Sequence, residues 1–171
     1  MKNLTKYSLI LKHLTRKGWM QKDISTPETV ASHSWNMALL ALYMSSQQEN
    51  DYDFDKVIKL CLIHDLGESL IGDITPFEQS YQDKKVKEQL AIEQIAKDAN
   101  FKELKVLFDE YEENKTKEAK LAHDLDQIDM FIQSLDYETK YSDKNLQEFR
   151  TSATSKITTL IGKKIIENLT K

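Results

Sequence analysis

Proline and glycine are scarce in this sequence, and that scarcity is the strongest constraint on its fold. Only two prolines and four glycines interrupt a chain of 171 residues. A sheet protein with many tight turns uses more of both residues, whereas helix interiors exclude them. Apolar residues recur at the three- and four-residue spacing of amphipathic helices. The sequence therefore predicts an all-α fold in one domain, residues 1–171. We expect a single compact helical bundle of about six to eight helices.

Composition and charge exclude several classes of function. Hydrophobic residues make up 40% of the chain and charged residues 30%, as in globular proteins. The net charge of −4 gives no basic footprint for a nucleic-acid polymer. No run approaches the ~18 apolar residues of a membrane span, and the first residues lack the apolar core of a signal peptide. The single cysteine, Cys61, has apolar neighbours that predict a buried thiol in a reducing compartment. We expect a cytoplasmic protein without membrane partners.

Hydrophobic periodicity predicts seven helical segments. They cover residues 3–15, 28–47, 54–66, 83–98, 101–112, 115–138 and a final segment through Ile157 and Leu169. The apolar faces assigned to these segments include Ile10, Trp35, Leu62, Val86, Leu90, Leu135 and Leu160. Residues 67–80 contain Gly67, Gly72 and Pro76 and are predicted to be irregular.

The stretch "LIHDLGESLIGDITP", residues 62–76, places His64 and Asp65 side by side at the end of an apolar helix. Burying such groups without partners costs roughly 2–7 kcal/mol each. A hydrogen-bond network, a surface position or a metal ion would each offset that cost. With His33 and Asp126, the two residues form a mixed nitrogen and oxygen set that suits a divalent transition metal. Taken singly, each histidine is more often an ordinary satisfied or exposed helix side chain than a metal ligand.

Three motifs occur in order along the chain: "PETVASHSW", "IHDLGESLIGDITP" and "DLDQIDMFIQSLDYE". Together they resemble the HD-domain metal-dependent phosphohydrolases, and more narrowly the compact 5′-deoxynucleotidases, from Leu11 to about Glu138. The resemblance implies hydrolysis of deoxyribonucleoside 5′-monophosphates by a homodimer with one divalent metal ion (Co, Mn, Mg, Zn, Fe or Ni). The ligands that it implies are His33, His64, Asp65 and Asp126.

The same resemblance suggests two catalytic acids. Glu68 lies one helical turn beyond His64 and can project to the same side. The resemblance gives Glu68 the task of orienting or deprotonating the attacking water. Asp73, positioned by Gly72 and Pro76, would lie near the sugar and the leaving oxygen. The alternative for Asp73 is a helix cap for the next segment.

Two residues near the first helix are candidates for substrate binding. Trp19 follows Gly18, where an aromatic side chain is often part of the core. In the deoxynucleotidases that the chain resembles, a tryptophan at the matching place helps to read the 2′ position of the sugar. Arg16 is the nearest arginine, and its planar fork of donors suits a phosphate group.

Several readings remain open at this level. Asp124 lies about 200° around the helix from Asp126, and we interpret it as a solvated acid. His123 shares a face with Asp126 and raises the alternative of a second metal. Lys84 and Glu88 have the spacing of a surface ion pair. The alternative functions are hydrolysis of another nucleotide or phosphorylated metabolite, or a non-catalytic metal-binding regulatory domain.

Overall fold

The computed structural model describes residues 2–47, 51–75 and 81–171. These ranges contain eight helices of ten residues or more and two of four residues. In chain order they are α1 (Lys2–Leu11), α2 (Lys17–Met20), α3 (Val30–Gln47), α4 (Phe54–Ile63), α5 (Glu68–Ile71), α6 (Tyr81–Ala99), α7 (Lys102–Glu113), α8 (Lys117–Lys140), α9 (Gln147–Lys156) and α10 (Leu160–Leu169).

The all-α prediction is confirmed, since these ranges hold helices and no strand. An isolated antiparallel bridge between Thr15 and Thr29 is the one extended pairing that they contain. The prediction of six to eight helices did not include the one-turn helices α2 and α5. Of the described helices, none is both long enough and apolar enough to cross a membrane.

The chain divides into two compact units. Unit 1 comprises Met1–Trp35 and Leu62–Asp109, and unit 2 comprises Asn36–Cys61 and Glu110–Lys171. The organisation of residues 1–171 as one domain stays a prediction.

Unit 1 is built on α1, α5 and α6, each of which contacts the other two. Tyr7 and Leu11 are buried one turn apart on α1, and Ile92 and Ile95 are buried on α6. The Tyr7 hydroxyl also donates a hydrogen bond of 2.5 Å to Asp98 Oδ2 at the end of α6. Asn3 Nδ2 donates a second hydrogen bond, of 2.6 Å, to Asp98 O. An apolar face and two hydrogen bonds to Asp98 therefore fix α1 on α6.

The first helix ends at Leu11, earlier than the predicted residue 15. The backbone N–H of Val30 donates to Leu14 O at 2.8 Å, and the N–H of Arg16 donates to Glu28 O at 3.0 Å. Helical spacing of apolar residues continues through Leu14, but from the Leu14 carbonyl onward the backbone forms hydrogen bonds with residues 28–30 instead of continuing the helix. This pairing places Arg16 beside the segment that leads into α3.

Unit 2 contains a helix that the sequence analysis missed. The segment of α9, QEFRTSATSK, has only Phe149 and Ala153 as apolar residues, so its periodicity was too weak to detect. Arg150 on α9 forms an ion pair of 2.8 Å with Glu138 on α8. Glu138 also accepts a 2.5 Å hydrogen bond from the N–H of Leu146, which precedes α9. Polar contacts therefore help to hold α9 against α8.

Asp124 is buried, and its interpretation as a solvated acid is wrong. Its carboxylate accepts hydrogen bonds from the backbone N–H groups of Thr158 and Thr159, at 2.9 and 2.8 Å. The hydroxyl groups of the same threonines donate at 3.3 and 2.5 Å. A Cβ atom on Gly162 would lie 2.5 Å from Asp124 Oδ2 and 2.9 Å from Ile157 Cγ2. Asp124 therefore joins α8 to the start of α10 at a point where only glycine fits.

The predicted apolar faces are broader than the buried ones. Leu62 on α4 is exposed, whereas Val57, Leu60 and Cys61 are buried. Consecutive residues point about 100° apart, so a narrow contact covers positions 57, 60 and 61 and leaves position 62 outside. The same correction applies to Ile10, Trp35, Val86, Leu90, Leu135 and Leu160, which are all exposed.

We predict that Asp124→Ala lowers the free energy of unfolding by about 2–4 kcal/mol, because four donors lose a charged acceptor. Urea denaturation followed by circular dichroism measures the change. Asp143→Ala is the matched control, since the Asp143 side chain is 77% exposed. Equal stability of the two variants would contradict the structural role of Asp124.

Candidate active site

His64 and Asp65 lie in a tight turn directly after α4. The helix ends at Ile63, three residues before its predicted end at residue 66. Residues 64–67 form the turn, in which the N–H of Glu68 donates to Asp65 O at 3.0 Å. His64 is buried, and its Nε2 lies 3.1 Å from Asp65 Oδ2. The turn therefore lets two adjacent side chains approach each other, which a continuing helix would not favour.

His33 and His64 are brought together within unit 1. Their ring centroids are 5.4 Å apart, with the ring planes inclined at 68°. The ring nitrogens that could act as ligands lie within 4.8 Å of each other. Both side chains are buried, and His33 is 0% exposed. These two predicted ligands converge although they come from different segments of the chain.

Asp65 stays ionised in this environment. Burial acts to raise the pKa of its carboxyl group, but His64, and then His33 and Arg16, lower that pKa well below its usual range. Arg16 Nη1 lies 3.7 Å from Asp65 Oδ2. A carboxylate beside two imidazoles supplies oxygen and nitrogen donors of the kinds that divalent transition metals bind. Histidine and aspartate groups of this chain could hold a metal ion, and the role of Asp65 as one of the ligands stays a prediction.

Glu68 is the first residue of α5 and is 3% exposed. Burial raises the pKa of its carboxyl group well above its usual range, and Asp65 and Asp73 act in the same direction. Lys84 opposes this effect, with its Nζ 3.5 Å from Glu68 Oε1. A carboxyl group with a raised pKa holds a proton more readily than an ordinary one, as a general acid or base requires.

Lys84 reaches two carboxylates from α6. Its Nζ lies 3.4 Å from Glu88 Oε1 as well as near Glu68. Burial alone lowers the pKa of Lys84, but Glu68 and Glu88 outweigh it, so that the pKa is raised. The interpretation of Lys84 and Glu88 as a surface pair is corrected, because the pair is attached to a buried acid.

Asp73 contacts the backbone of α2. Its Oδ2 accepts a 2.6 Å hydrogen bond from the N–H of Lys17, the first residue of that helix. Gly72 before it has φ of 79°, a left-handed conformation that favours glycine. The chain thus turns sharply after α5 and directs Asp73 toward α2. Pro76, the other residue predicted to position Asp73, lies outside the described residues.

Glu28 is a site residue that the sequence analysis missed. Its Oε1 accepts a 2.8 Å hydrogen bond from Trp19 Nε1 and lies 3.6 Å from Arg16 Nε. Trp19 is only 1% exposed. A glutamate just before a helix is usually explained by the helix dipole, and nothing in the local sequence indicates the contacts of Glu28. The structure therefore joins both predicted substrate-binding residues through one carboxylate.

Asp126 lies on α8 in unit 2 and is half-buried. Its Oδ2 accepts a 2.9 Å hydrogen bond from Gln127 Nε2. Cys61, in the same unit, is buried as predicted. Burial raises the pKa of its thiol, and the charge of Asp126 raises that pKa further. The role of Asp126 as a metal ligand stays a prediction.

His123 makes packing contacts on α8. Its ring stacks on Tyr111 with centroids 3.9 Å apart, and its Nε2 lies 2.9 Å from Tyr111 O. These contacts account for the position of His123 without a metal, and the alternative of a second metal stays untested.

Comparison with known proteins identifies the family. The family model described as "HD domain" matches residues 10–169. The chain belongs to the HD-domain family. The sequence predicts an HD-domain phosphohydrolase of the 5′-deoxynucleotidase-like group, and the relatives of the chain confirm this prediction.

Those relatives include 5′-deoxynucleotidase HDDC2 of Dictyostelium discoideum, 37% identical over 75% of this chain and 72% of that protein. The human protein of the same name is 33% identical over 85% of this chain and 72% of that protein. A conserved hypothetical protein from Pyrococcus furiosus has a similar structure, with a TM-score of 0.87 and 31% identity over 99% of both chains. The HD-domain assignment thus holds in both sequence and structure.

We predict that Glu28 holds Trp19 in its buried position. The chain has two tryptophans, so Trp35→Phe leaves Trp19 as the sole tryptophan, which can be excited selectively over the tyrosines. In that background, Glu28→Ala should raise acrylamide quenching and lower the free energy of unfolding by about 1–3 kcal/mol, because the indole N–H loses its acceptor. Glu28→Gln retains an acceptor oxygen and is the matched control. Unchanged quenching in Glu28→Ala would show that Glu28 does not hold the indole.

Proposed function

We propose that this protein is a metal-dependent phosphomonoesterase that hydrolyses deoxyribonucleoside 5′-monophosphates to a deoxynucleoside and phosphate. The observation that carries the proposal is the pair of buried imidazoles, His33 and His64, beside the ionised Asp65. Its support from comparison is the 37% identity to a protein named 5′-deoxynucleotidase. We propose that Asp126 completes a set of four ligands for one divalent ion.

The donor set decides which chemistry is plausible. A divalent ion bound by imidazole and carboxylate groups polarises a phosphoryl oxygen and lowers the pKa of bound water. Asp65, with its lowered pKa, offers a negative carboxylate across the neutral pH range. Neutral imidazoles and ionised carboxylates are the states in which such ligands bind metals.

Glu68 is proposed to handle the proton of the attacking water. Its raised pKa lets the carboxylate accept that proton and later release it to the leaving oxygen of the sugar. Asp73 is proposed to contact the sugar side of the substrate. The hydrogen bond from Lys17 N fixes the position of its carboxylate for that role.

Arg16 and Trp19 are proposed as substrate contacts. The Arg16 guanidinium carries five donors in a planar fork, so that it can bind phosphate oxygens while it faces Glu28 and Asp65. Trp19 is held by Glu28 and is 1% exposed. We therefore expect it to act as a rigid steric wall at the 2′ position of the sugar rather than as a mobile stacking surface.

The central test compares metal-stripped and metal-loaded protein on a panel of phosphate esters. We predict that Co²⁺, Mn²⁺ or Mg²⁺ restores hydrolysis, with deoxyribonucleoside 5′-monophosphates preferred over the ribonucleotides. Glu68→Gln should lower kcat by about 10²–10⁴-fold while metal content stays normal, because only proton transfer is removed.

Glu93→Gln is the matched control for this test, since the Glu93 side chain is 51% exposed. Metal-loaded protein that ignores every deoxynucleotide but hydrolyses another ester would contradict the substrate assignment. Full activity in Glu68→Gln would contradict the role of Glu68. Metal binding without turnover of any ester would instead indicate a regulatory domain.

The homodimer and the cytoplasmic location stay predictions. Light scattering coupled to size-exclusion chromatography tests the first, and fractionation of cells tests the second.

A further inference from the structure

We propose that Lys84 is a positioning residue that holds the Glu68 carboxylate for reaction, and that Glu88 fixes Lys84 in turn. The inference rests on the proposed phosphomonoesterase function, within which it adds a residue. Lys84 Nζ lies 3.5 Å from Glu68 Oε1 and 3.4 Å from Glu88 Oε1. Lys84 thus contacts one carboxylate at the start of α5 and one on its own helix, α6.

Glu68 needs a cation because of where it lies. Its side chain is 4% exposed, and the charges of Asp65 and Asp73 both disfavour a further negative charge there. A buried carboxylate without a counter-charge is strongly destabilised relative to its neutral form. Lys84 supplies that counter-charge from outside the segment that carries the acids. The ammonium therefore influences both the charge and the orientation of Glu68.

Close packing of α5 on α6 sets the distance between the two groups. A Cβ atom on Gly67 would lie 3.5 Å from Glu88 O and within 3.7 Å of Ile92 and Ala91. Glu68 follows Gly67 directly, and Lys84 and Glu88 are one turn apart on α6. The ion pair is therefore fixed by helix packing rather than by a long loop.

The contacts of Lys84 favour positioning over phosphate binding. Its ammonium lies near two carboxylates, and its side chain is 27% exposed. A lysine held in this way has most of its charge balanced by the acids beside it. Arg16 also faces two carboxylates, Glu28 and Asp65, but its planar fork carries five donors and so retains N–H groups for phosphate. We therefore assign anion binding to Arg16 and the alignment of Glu68 to Lys84.

The experiment compares Lys84→Met, Lys84→Arg and Glu88→Gln with wild type, and Lys87→Met is the matched control on the exposed side of α6. It measures kcat and KM for a deoxyribonucleoside 5′-monophosphate, the inhibition constant of inorganic phosphate, and bound metal. We expect Lys84→Met to lower kcat by about tenfold or more, with KM and the phosphate constant within about twofold of wild type. Lys84→Arg should recover most of kcat, and Glu88→Gln should give a smaller loss.

Separate measurements distinguish a folding defect from a catalytic one. Metal content and circular dichroism give the folded fraction of each variant, and kcat is expressed per folded, metal-loaded molecule. A double-mutant cycle of Lys84→Met with Glu68→Gln, measured by thermal unfolding, reports the coupling of the two side chains independently of activity. We expect the two substitutions to be non-additive.

Three results overturn the inference while leaving the proposed function in place. Wild-type kcat in Lys84→Met overturns positioning, and additive unfolding shifts overturn the pairing with Glu68. A rise in KM and in the phosphate constant with kcat unchanged would make Lys84 a phosphate ligand instead. A wild type that hydrolyses no deoxynucleotide overturns the proposed function, and the catalytic part of this inference with it. An active wild type with an unimpaired Lys84→Met variant overturns the inference alone.

Discussion

Compensation of buried charge is the constraint on which unit 1 depends. The turn after α4 and the start of α5 hold two acids within a few residues of each other, the half-buried Asp65 and the buried Glu68. Each has a cation from a different part of the chain, Arg16 for the first and Lys84 for the second. Losing one partner of such a pair costs several kcal/mol, because the remaining charge stays buried. The segments that carry these cations are therefore tied energetically to the segment that carries the acids.

Backbone conformation makes this compensation specific. The antiparallel pairing of Arg16 with Glu28 fixes the approach of the arginine, and the hydrogen bond from Lys17 N fixes Asp73. The left-handed turn at Gly72 allows the chain to reverse between α5 and Asp73. Local geometry and electrostatics thus support the same arrangement of these side chains. Charged groups that are fixed in this way need little reorganisation to stabilise charge that develops nearby.

Sequence reasoning located residues that share a motif and missed those that meet only in the fold. His33 and His64 were predicted as partners from ordered motifs, and their imidazoles lie together. Asp124 was misjudged because angular position on one helix says nothing about the threonines that follow a later helix. Lys84 was interpreted through the local i,i+4 rule and Glu28 was given no role, because local rules explain a residue without reference to distant partners. The weak periodicity of α9 hid a helix that ion pairing with Glu138 helps to hold.

The contact between Asp124 and Gly162 also links two positions in evolution. Because a Cβ atom at position 162 would lie 2.5 Å from Asp124 Oδ2 and 2.9 Å from Ile157 Cγ2, any side chain there requires both neighbours to move. A lineage that replaces Gly162 must therefore change the packing at positions 124 and 157, and so disturb the anchor of α10. Loss of Asp124 imposes no such condition, because glycine fits beside any smaller side chain, so the constraint runs from position 162 to its neighbours and not in reverse.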